Sequence, residues 1–293
     1  AALGRRRIHA PAGSAAITRP IPPGIAVTDL HPSRMPSGHP LEWRLFYRLV
    51  LPRLVRRAAA GITPTEATRR DVIEAFGIPP ERVFVTRYGV DEHFVASTLR
   101  DRSTSPAAPR IVFPGPPIGR KNLDLVLRVM ASAPEGSALS TAELEITGAA
   151  EADYPTYRAQ IAETHLADRV RWLGRLPTED LPRLYAGADL LVYPSFLEGF
   201  GFPPLEAMAA GTPVVASNAS CLPEVLDEAA ILVDPSDDAG FAAAVESVLR
   251  DPAVRHHLVS SGTARARMYT WQRCAEMVAA IYRVAAPRLS NTA

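Results

Sequence analysis

From residue 110 onward, short apolar and β-branched runs alternate with amphipathic stretches of helical period, and this constrains the fold more than any other feature of the chain. Strands are expected over 110–113, 144–147, 170–173, 190–193, 213–216 and 230–233. Helices are expected over 123–133, 154–164, 179–186, 204–210, 222–226 and 239–249. Strands separated by helices run parallel, joined by right-handed crossovers, which implies a doubly wound α/β sheet. Such sheets bind ligands beyond the carboxyl ends of their strands, so every loop that follows a strand is a candidate for chemistry.

The part before residue 110 is less regular. The run GIAVTDL, 24–30, reads as a buried strand ending in polar residues. Leu41, Leu45, Leu49 and Val50 form a helical stripe over 41–61 that Pro52 is expected to kink or split. Ile62 and Thr63 suggest a very short strand, Thr65 an N-cap for a helix over 66–76 that stops at Gly77, and 83–85 a further strand. Residues 96–109, ASTLRDRSTSPAAP, carry no apolar period and read as a linker. The expected organisation is a first domain over 1–95, this linker, a second domain over 110–268 and a terminal helical segment over 269–293.

A chain of 293 residues that is 47% hydrophobic and 22% charged can build two cores. Its net charge of +1 gives no bulk attraction to nucleic acid, so any phosphate must be held by locally placed groups. Two cysteines cannot make a disulfide framework and no Cys/His spacing suits zinc, so no metal is expected and a reducing, cytoplasmic compartment is. No signal-peptide core and no run of about 18 apolar residues is present. The absence of a first methionine and the abrupt first strand lead to the expectation that the chain starts inside a larger gene product.

The most informative segment is 189–217, in which a strand runs into Glu198-Gly199-Phe200-Gly201-Phe202 and a helix follows. With Pro204 at the first helical position, the amides of Leu205 and Glu206 are expected to be donors at the positive helix end, a seat for phosphate. Gly199 and Gly201 let the backbone approach a ligand closely. Glu198 and Glu206, seven residues between them, are expected to accept from hydroxyls on either side, such as those of a sugar and a ribose. Taken alone, a glutamate in a first helical turn more commonly complements the helix dipole. Pro204 in place of the third glycine of the dinucleotide pattern argues against nicotinamide binding.

The stretch PSFLEGFGFPPLEAMAAGTPVVAS resembles the E-x7-E signature region of retaining glycosyltransferase family 4, the glycosyl transferases group 1. PGPPIGRKNLDLVL is similar to that family's basic pair after the first strand of the donor domain. Further matches are ITPTEATRRDVIEAFGI, RYGVDEHF, RVRWLGRLPTEDLPRLYAGADLLVYPS and YTWQRCAEMVAAIYRV. The resemblance implies a GT-B fold, two Rossmann-like domains facing each other over a cleft, with a nucleoside diphosphate sugar held mainly by the second. It places Glu198 by the transferred sugar, Glu206 on the ribose hydroxyls, the backbone of Gly199, Phe200 and Gly201 on the sugar and diphosphate, and Gly174, Arg175 and Leu176 by the base. Arg120 and Lys121 become the fixed cations that balance the leaving diphosphate without a metal. Residues 269–293 become a helix that returns to the first domain. The implied reaction is retaining transfer of a sugar to a sugar, lipid or small-molecule acceptor hydroxyl, with no cofactor beyond the sugar nucleotide.

Two departures from the family pattern matter. Thr28 stands where many relatives have a histidine, although Asp29 matches; with Gly89 these are the expected first-domain contacts, and His31 is near enough to substitute for the histidine, although a single loop histidine is more often a solvent or packing residue. The first domain is also short, so a partial acceptor side is expected, and a non-catalytic sugar-nucleotide-binding subunit is the alternative to a transferase; an epimerase of the same architecture fits the motif less well. Arg44, Arg48, Arg53, Arg56 and Arg57 face one acid, Glu42, over 41–60, a pattern of peripheral membrane contact or, more plainly, of a solvated face.

Overall fold

A computed structural model describes residues 9–11, 24–35, 40–95 and 108–290. The chain forms two compact units. Unit 1 comprises residues up to Gly89, the tripeptide Glu198–Phe200 and everything from Tyr269; unit 2 comprises Val90–Leu197 and Gly201–Met268. Most of the expected linker, 96–107, lies outside the described residues. Val90–Val95 group with unit 2, where Phe94 stacks on Tyr185 at 6.0 Å.

Unit 1 is built on four parallel strands in the order β1 (His9–Pro11), β2 (Gly24–Ala26), β3 (Ala60–Thr63), β4 (Val83–Val85). β1 had no counterpart among the expected strands, and β2 ends at Ala26, leaving Thr28 to Leu30 as a loop into the short helix α1 (His31–Arg34). The stripe over 41–57 is one helical run in three parts: α2 (Leu41–Leu45), a π turn (Phe46–Val50) and α3 (Leu51–Arg57). Pro52 explains the middle part. Its ring would collide with the carbonyl four residues back, and a wide turn, closed by Leu51 N–H to the Phe46 carbonyl, moves that carbonyl aside. Helix α4 (Glu66–Phe76) forms with the expected ends: the Thr65 hydroxyl caps Thr68 N–H at 3.1 Å, worth about 1 kcal/mol, and Gly77 closes the helix at φ 60°. Ile25, Val27, Leu51, Val55, Val72, Phe76 and Val83 make the core.

Unit 2 starts with α5 (Glu92–Val95) and continues as β5 (Arg110–Phe113), α6 (Leu123–Ala131), α7 (Ala138–Thr141), β6 (Glu143–Thr147), α8 (Pro155–Glu163), β7 (Val170–Gly174) and α9 (Leu181–Gly187). It goes on through β8 (Leu190–Tyr193), α10 (Phe202–Ala209), β9 (Val214–Ser217), α11 (Leu222–Leu226), β10 (Ile231–Val233), α12 (Asp238–Arg250) and α13 (Pro252–Ala266). The expected strands and helices all form, within a few residues; α13 and the short α5 and α7 are additional. The six strands are all parallel in the order β10-β9-β8-β5-β6-β7. β8, β9 and most of β5 are buried on both faces, as an α/β sheet covered by helices requires. Their side chains pack with Leu123, Leu127, Met130, Phe241 and Val248.

The last helix, α14 (Trp271–Ser290), belongs to unit 1, where Ile281, Tyr282 and Ala285 pack on Ala60, Ile62 and Phe84. Among the described residues no helix is long and apolar enough to cross a membrane.

Candidate functional site

In unit 2 the strand order runs outward from β5 to β7 on one side and from β8 to β10 on the other. β5 and β8 are neighbours, so the chain reverses its direction of travel between them, and the loops leaving their carboxyl ends diverge to leave a crevice. Two motif segments leave from these strands: Arg120 and Lys121, in a short 3-10 turn after β5, and Tyr193 to Glu198, after β8.

The two segments are tied together. Lys121 is buried, its Nζ donating to the Tyr193 phenol oxygen at 2.6 Å and lying 4.2 Å from the ring centroid. Arg120 donates from Nη1 to the Leu197 carbonyl at 2.9 Å, and its own carbonyl accepts from Phe196 N–H at 2.8 Å. Asn122 takes the left-handed conformation, φ 59°, that starts α6, and its side-chain amide donates to the carbonyls of Pro194 and Pro235. The cations are therefore held on a braced corner, with Leu197 fixed immediately before Glu198. Tyr193 and Asn122 were not among the expected site residues. Tyr193 reads in sequence as the last apolar position of a strand, and the only hint of more is its hydroxyl next to Pro194-Ser195.

Beside this corner the loops after β5, β6 and β7 meet through three glycines with left-handed backbones, Gly115, Gly148 and Gly174. Gly115 N–H donates to the Thr147 hydroxyl at 3.0 Å and Gly148 N–H to the Gly174 carbonyl at 2.7 Å. A Cβ on Gly148 would lie 2.8 Å from the Gly115 Cα, so no side chain fits there. Gly174 thus ends β7 beside the β6 loop, with Arg175 exposed and Leu176 partly exposed after it.

The start of α10 differs from expectation. The helix begins at Phe202, with Gly201 at φ 95° as its N-cap residue, so Pro203 and Pro204 both lie in the first turn. Both fit because amides of the first turn need no internal partner. The Leu205 amide is therefore inside the helix, donating to the Gly201 carbonyl at 3.5 Å, and it is not the end-of-helix donor expected. Glu206 is one turn in rather than in the first turn. With prolines at two of the first positions, the backbone donors of this end are the amides of Gly201 and Phe202. Gly201 is close against Leu222, whose Cδ2 would be 2.8 Å from a Cβ. Burial first, and the nearby carboxylate of Asp91 second, push the Glu206 carboxyl up to about 7.

Glu198, Gly199 and Phe200 belong to unit 1 and meet the expected first-domain residues there. The Gly199 carbonyl lies within hydrogen-bond distance of the Thr65 and Thr68 hydroxyls, 3.1 and 3.2 Å. A Cβ on Gly199 would be 2.2 Å from the Thr28 carbonyl oxygen and 2.9 Å from Asp29 Cβ, so glycine is required at this approach. Glu198 is buried. The Phe200 ring packs edge-on against Tyr88 at 5.2 Å and Tyr269 at 5.8 Å, with Tyr88 also 5.9 Å from Trp271. Gly89 serves the same packing, since a Cβ there would be 2.1 Å from the Trp271 amide nitrogen. His31 is buried and directs Nδ1 to Asp29 at 3.3 Å.

The model of the family described as glycosyl transferases group 1 matches residues 98–265. The chain belongs to this family of glycosyltransferase enzymes. The O-antigen chain mannosyltransferase B of Escherichia coli is 28% identical over 88% of this chain and 70% of its own length. The MMP alpha-(1->4)-mannosyltransferase of Mycolicibacterium hassiacum is 30% identical over 81% of this chain, and the match spans only 57% of that protein. Among solved structures, Anabaena Alr3699/HepE in complex with UDP and glucose superposes with a TM-score of 0.69 at 23% identity, covering 92% of this chain and 71% of that one. This likeness is one of fold, and the two Rossmann-like units are those of the GT-B class.

Proposed function

We propose that the chain carries the donor-binding part, and a share of the acceptor part, of a retaining glycosyltransferase that moves a sugar from a nucleoside diphosphate sugar to an acceptor hydroxyl without requiring a metal. The observation that carries this reading is the braced cationic corner at the switch point, where Arg120 and Lys121 stand beside the crevice of a doubly wound sheet. As the glycosidic bond breaks, negative charge grows on the departing diphosphate, and preorganised cations stabilise it most when their positions are already set. Arg120 can bridge two phosphate oxygens and Lys121 supplies a compact charge. Together they make a divalent ion dispensable.

Glu206 is the residue for the ribose hydroxyls, Glu198 that for the transferred sugar, and Gly174 to Leu176 border the base. The amide of Gly201, at the N-cap, rather than those of Leu205 and Glu206, is the helix-end donor to the diphosphate. The UDP in the Anabaena structure and the sugar-transferring names of the bacterial relatives support a sugar nucleotide as donor. Peripheral membrane contact falls to the run 41–57, where Leu41, Trp43, Leu45 and Leu49 are exposed among arginines beside a cavity of about 410 Å³.

Calorimetric titration with UDP-glucose and with nucleoside diphosphate mannose, followed by turnover with and without EDTA, tests the reading. Saturable binding that is lost on Glu206→Ala, and turnover that survives chelation, are the expected results. Binding without turnover would leave a sugar-nucleotide-binding subunit, and no binding would remove the donor site altogether.

A further inference from the structure

The contact between Lys121 and Tyr193 reaches past the motif residues. We propose that Tyr193 is a positioning residue for the donor's diphosphate, holding the Lys121 ammonium at the switch point through its phenol oxygen. This rests on the reading of Lys121 as a diphosphate cation.

Lysine presents a point charge on a long flexible stem, and about 2 kcal/mol of rotamer entropy opposes fixing it in one place. Tyr193 removes that freedom. It ends β8, a strand hydrogen-bonded to β5 on one side and to β9 on the other, and the residue is 2% exposed, so the backbone and core set where its oxygen stands. That oxygen accepts from Nζ at 2.6 Å, while the face of the same ring lies 4.2 Å from the ammonium. One side chain thus fixes the cation by two different interactions. A neutral phenol can do this without cancelling any charge, whereas a carboxylate in its place would neutralise the cation that the phosphate needs. The bond also spans the two strands between which the chain reverses, so it fixes Lys121 relative to both loops that bound the crevice. Also near the lysine, Gly115 at φ 84° presents no side chain; a Cβ there would come 3.8 Å from Nζ.

The opposing explanation is that Tyr193 is a core residue and the lysine merely satisfies its hydroxyl. A double-mutant cycle on the full chain separates the two. Tyr193→Phe keeps the ring and removes the oxygen; Lys121→Met removes the charge. Affinities for UDP, GDP and ADP are measured by calorimetry for the wild type, both single variants and the double variant. The expected result is about tenfold weaker binding of the preferred diphosphate for Tyr193→Phe, the loss of one hydrogen bond to a charged group. In the Lys121→Met background the same change should cost less than about twofold, because the two residues act as one. A full tenfold loss in that background, or no loss in either, overturns the proposal while leaving the donor reading intact. Unchanged affinity for Lys121→Met, or no binding of any of the three diphosphates to the wild type, removes the donor reading and this inference with it. Should Tyr193→Phe prove unfolded by circular dichroism, fluorotyrosine incorporation, which weakens the phenol as an acceptor, is compared in wild-type and Lys121→Met protein. An equal change in both has the same overturning force.

Discussion

The turn after β5 and the start of α10 both occur at the carboxyl end of the unit 2 sheet, and each reads in sequence as a place for phosphate. They are built in opposite ways. The first is rich in side-chain charge and strapped by hydrogen bonds from Arg120, Lys121 and Asn122 to the neighbouring β8 loop. The second is a helix end from which Pro203 and Pro204 have removed two backbone donors, followed one turn later by a carboxyl group that holds its proton up to about pH 7. The difference teaches that a helix N-terminus after a glycine loop is not automatically an anion site: which amides it offers depends on where the first turn begins. Here the positive charge at this end of the sheet rests on side chains.

The largest test of that contrast is Lys121→Met, expected to lower turnover by roughly a hundredfold to a thousandfold in a sugar-transfer assay, as removal of one electrostatic stabiliser typically does. A loss of under about tenfold would shift the weight back to the helix amides. Next comes Glu206. Its carboxyl, at about 7 in the folded chain against 4.5 ordinarily, keeps a proton that the unfolded chain releases between those two pH values. Folding stability therefore falls as pH rises through that window and levels off above it. Glu206→Gln should abolish this slope in thermal melts and raise stability at pH 8, by at most about 3 kcal/mol. A slope that persists in the variant would place its origin elsewhere.

Gly148→Ala probes the glycine packing beside the cation corner. With a Cβ forced to within 2.8 Å of the Gly115 Cα at φ 79°, it should destabilise by about 1–3 kcal/mol in denaturant unfolding. The smallest effect is expected from Pro204→Ala, which returns an amide hydrogen to the first turn of α10. If side chains dominate, diphosphate affinity changes by less than about twofold, well under the effect of one added hydrogen bond to a charged group. A marked gain would make the proline pair a brake on binding.

Much of this contrast could be read before any coordinates. Strand and helix alternation is a property of local period, so the unit 2 elements and the helix ends at Thr65 and Gly77 follow from residues close together in the chain. The placement of Arg120 and Lys121 after β5, and of Glu198 after β8, follows equally. The exact start of α10 does not, because one proline at the first helical position and two in the first turn are both compatible with the same sequence. Nor does the partnership of Tyr193 with Lys121, which joins residues 72 apart. Tyr193 looks apolar within its strand, and only the adjacency of β5 and β8 reveals that its oxygen faces a cation. The extra strand β1 is hidden for a related reason: three residues become a strand only by pairing with β2.

The grouping of Glu198–Phe200 with unit 1 has a practical consequence for anyone wishing to handle the two halves separately. The backbone passes between them not once but at Gly89/Val90, on both sides of this tripeptide, and again at Met268/Tyr269. Cleavage in the 96–107 stretch would leave Glu198–Phe200 and the residues from Tyr269, which group with unit 1, on the same piece as most of unit 2. A recombinant fragment trimmed to residues 90–268 would carry a bare phenylalanine deprived of Tyr88 and Tyr269, a sticky spot inviting aggregation, while the complementary piece would lose the peptide that Thr65 and Thr68 grip.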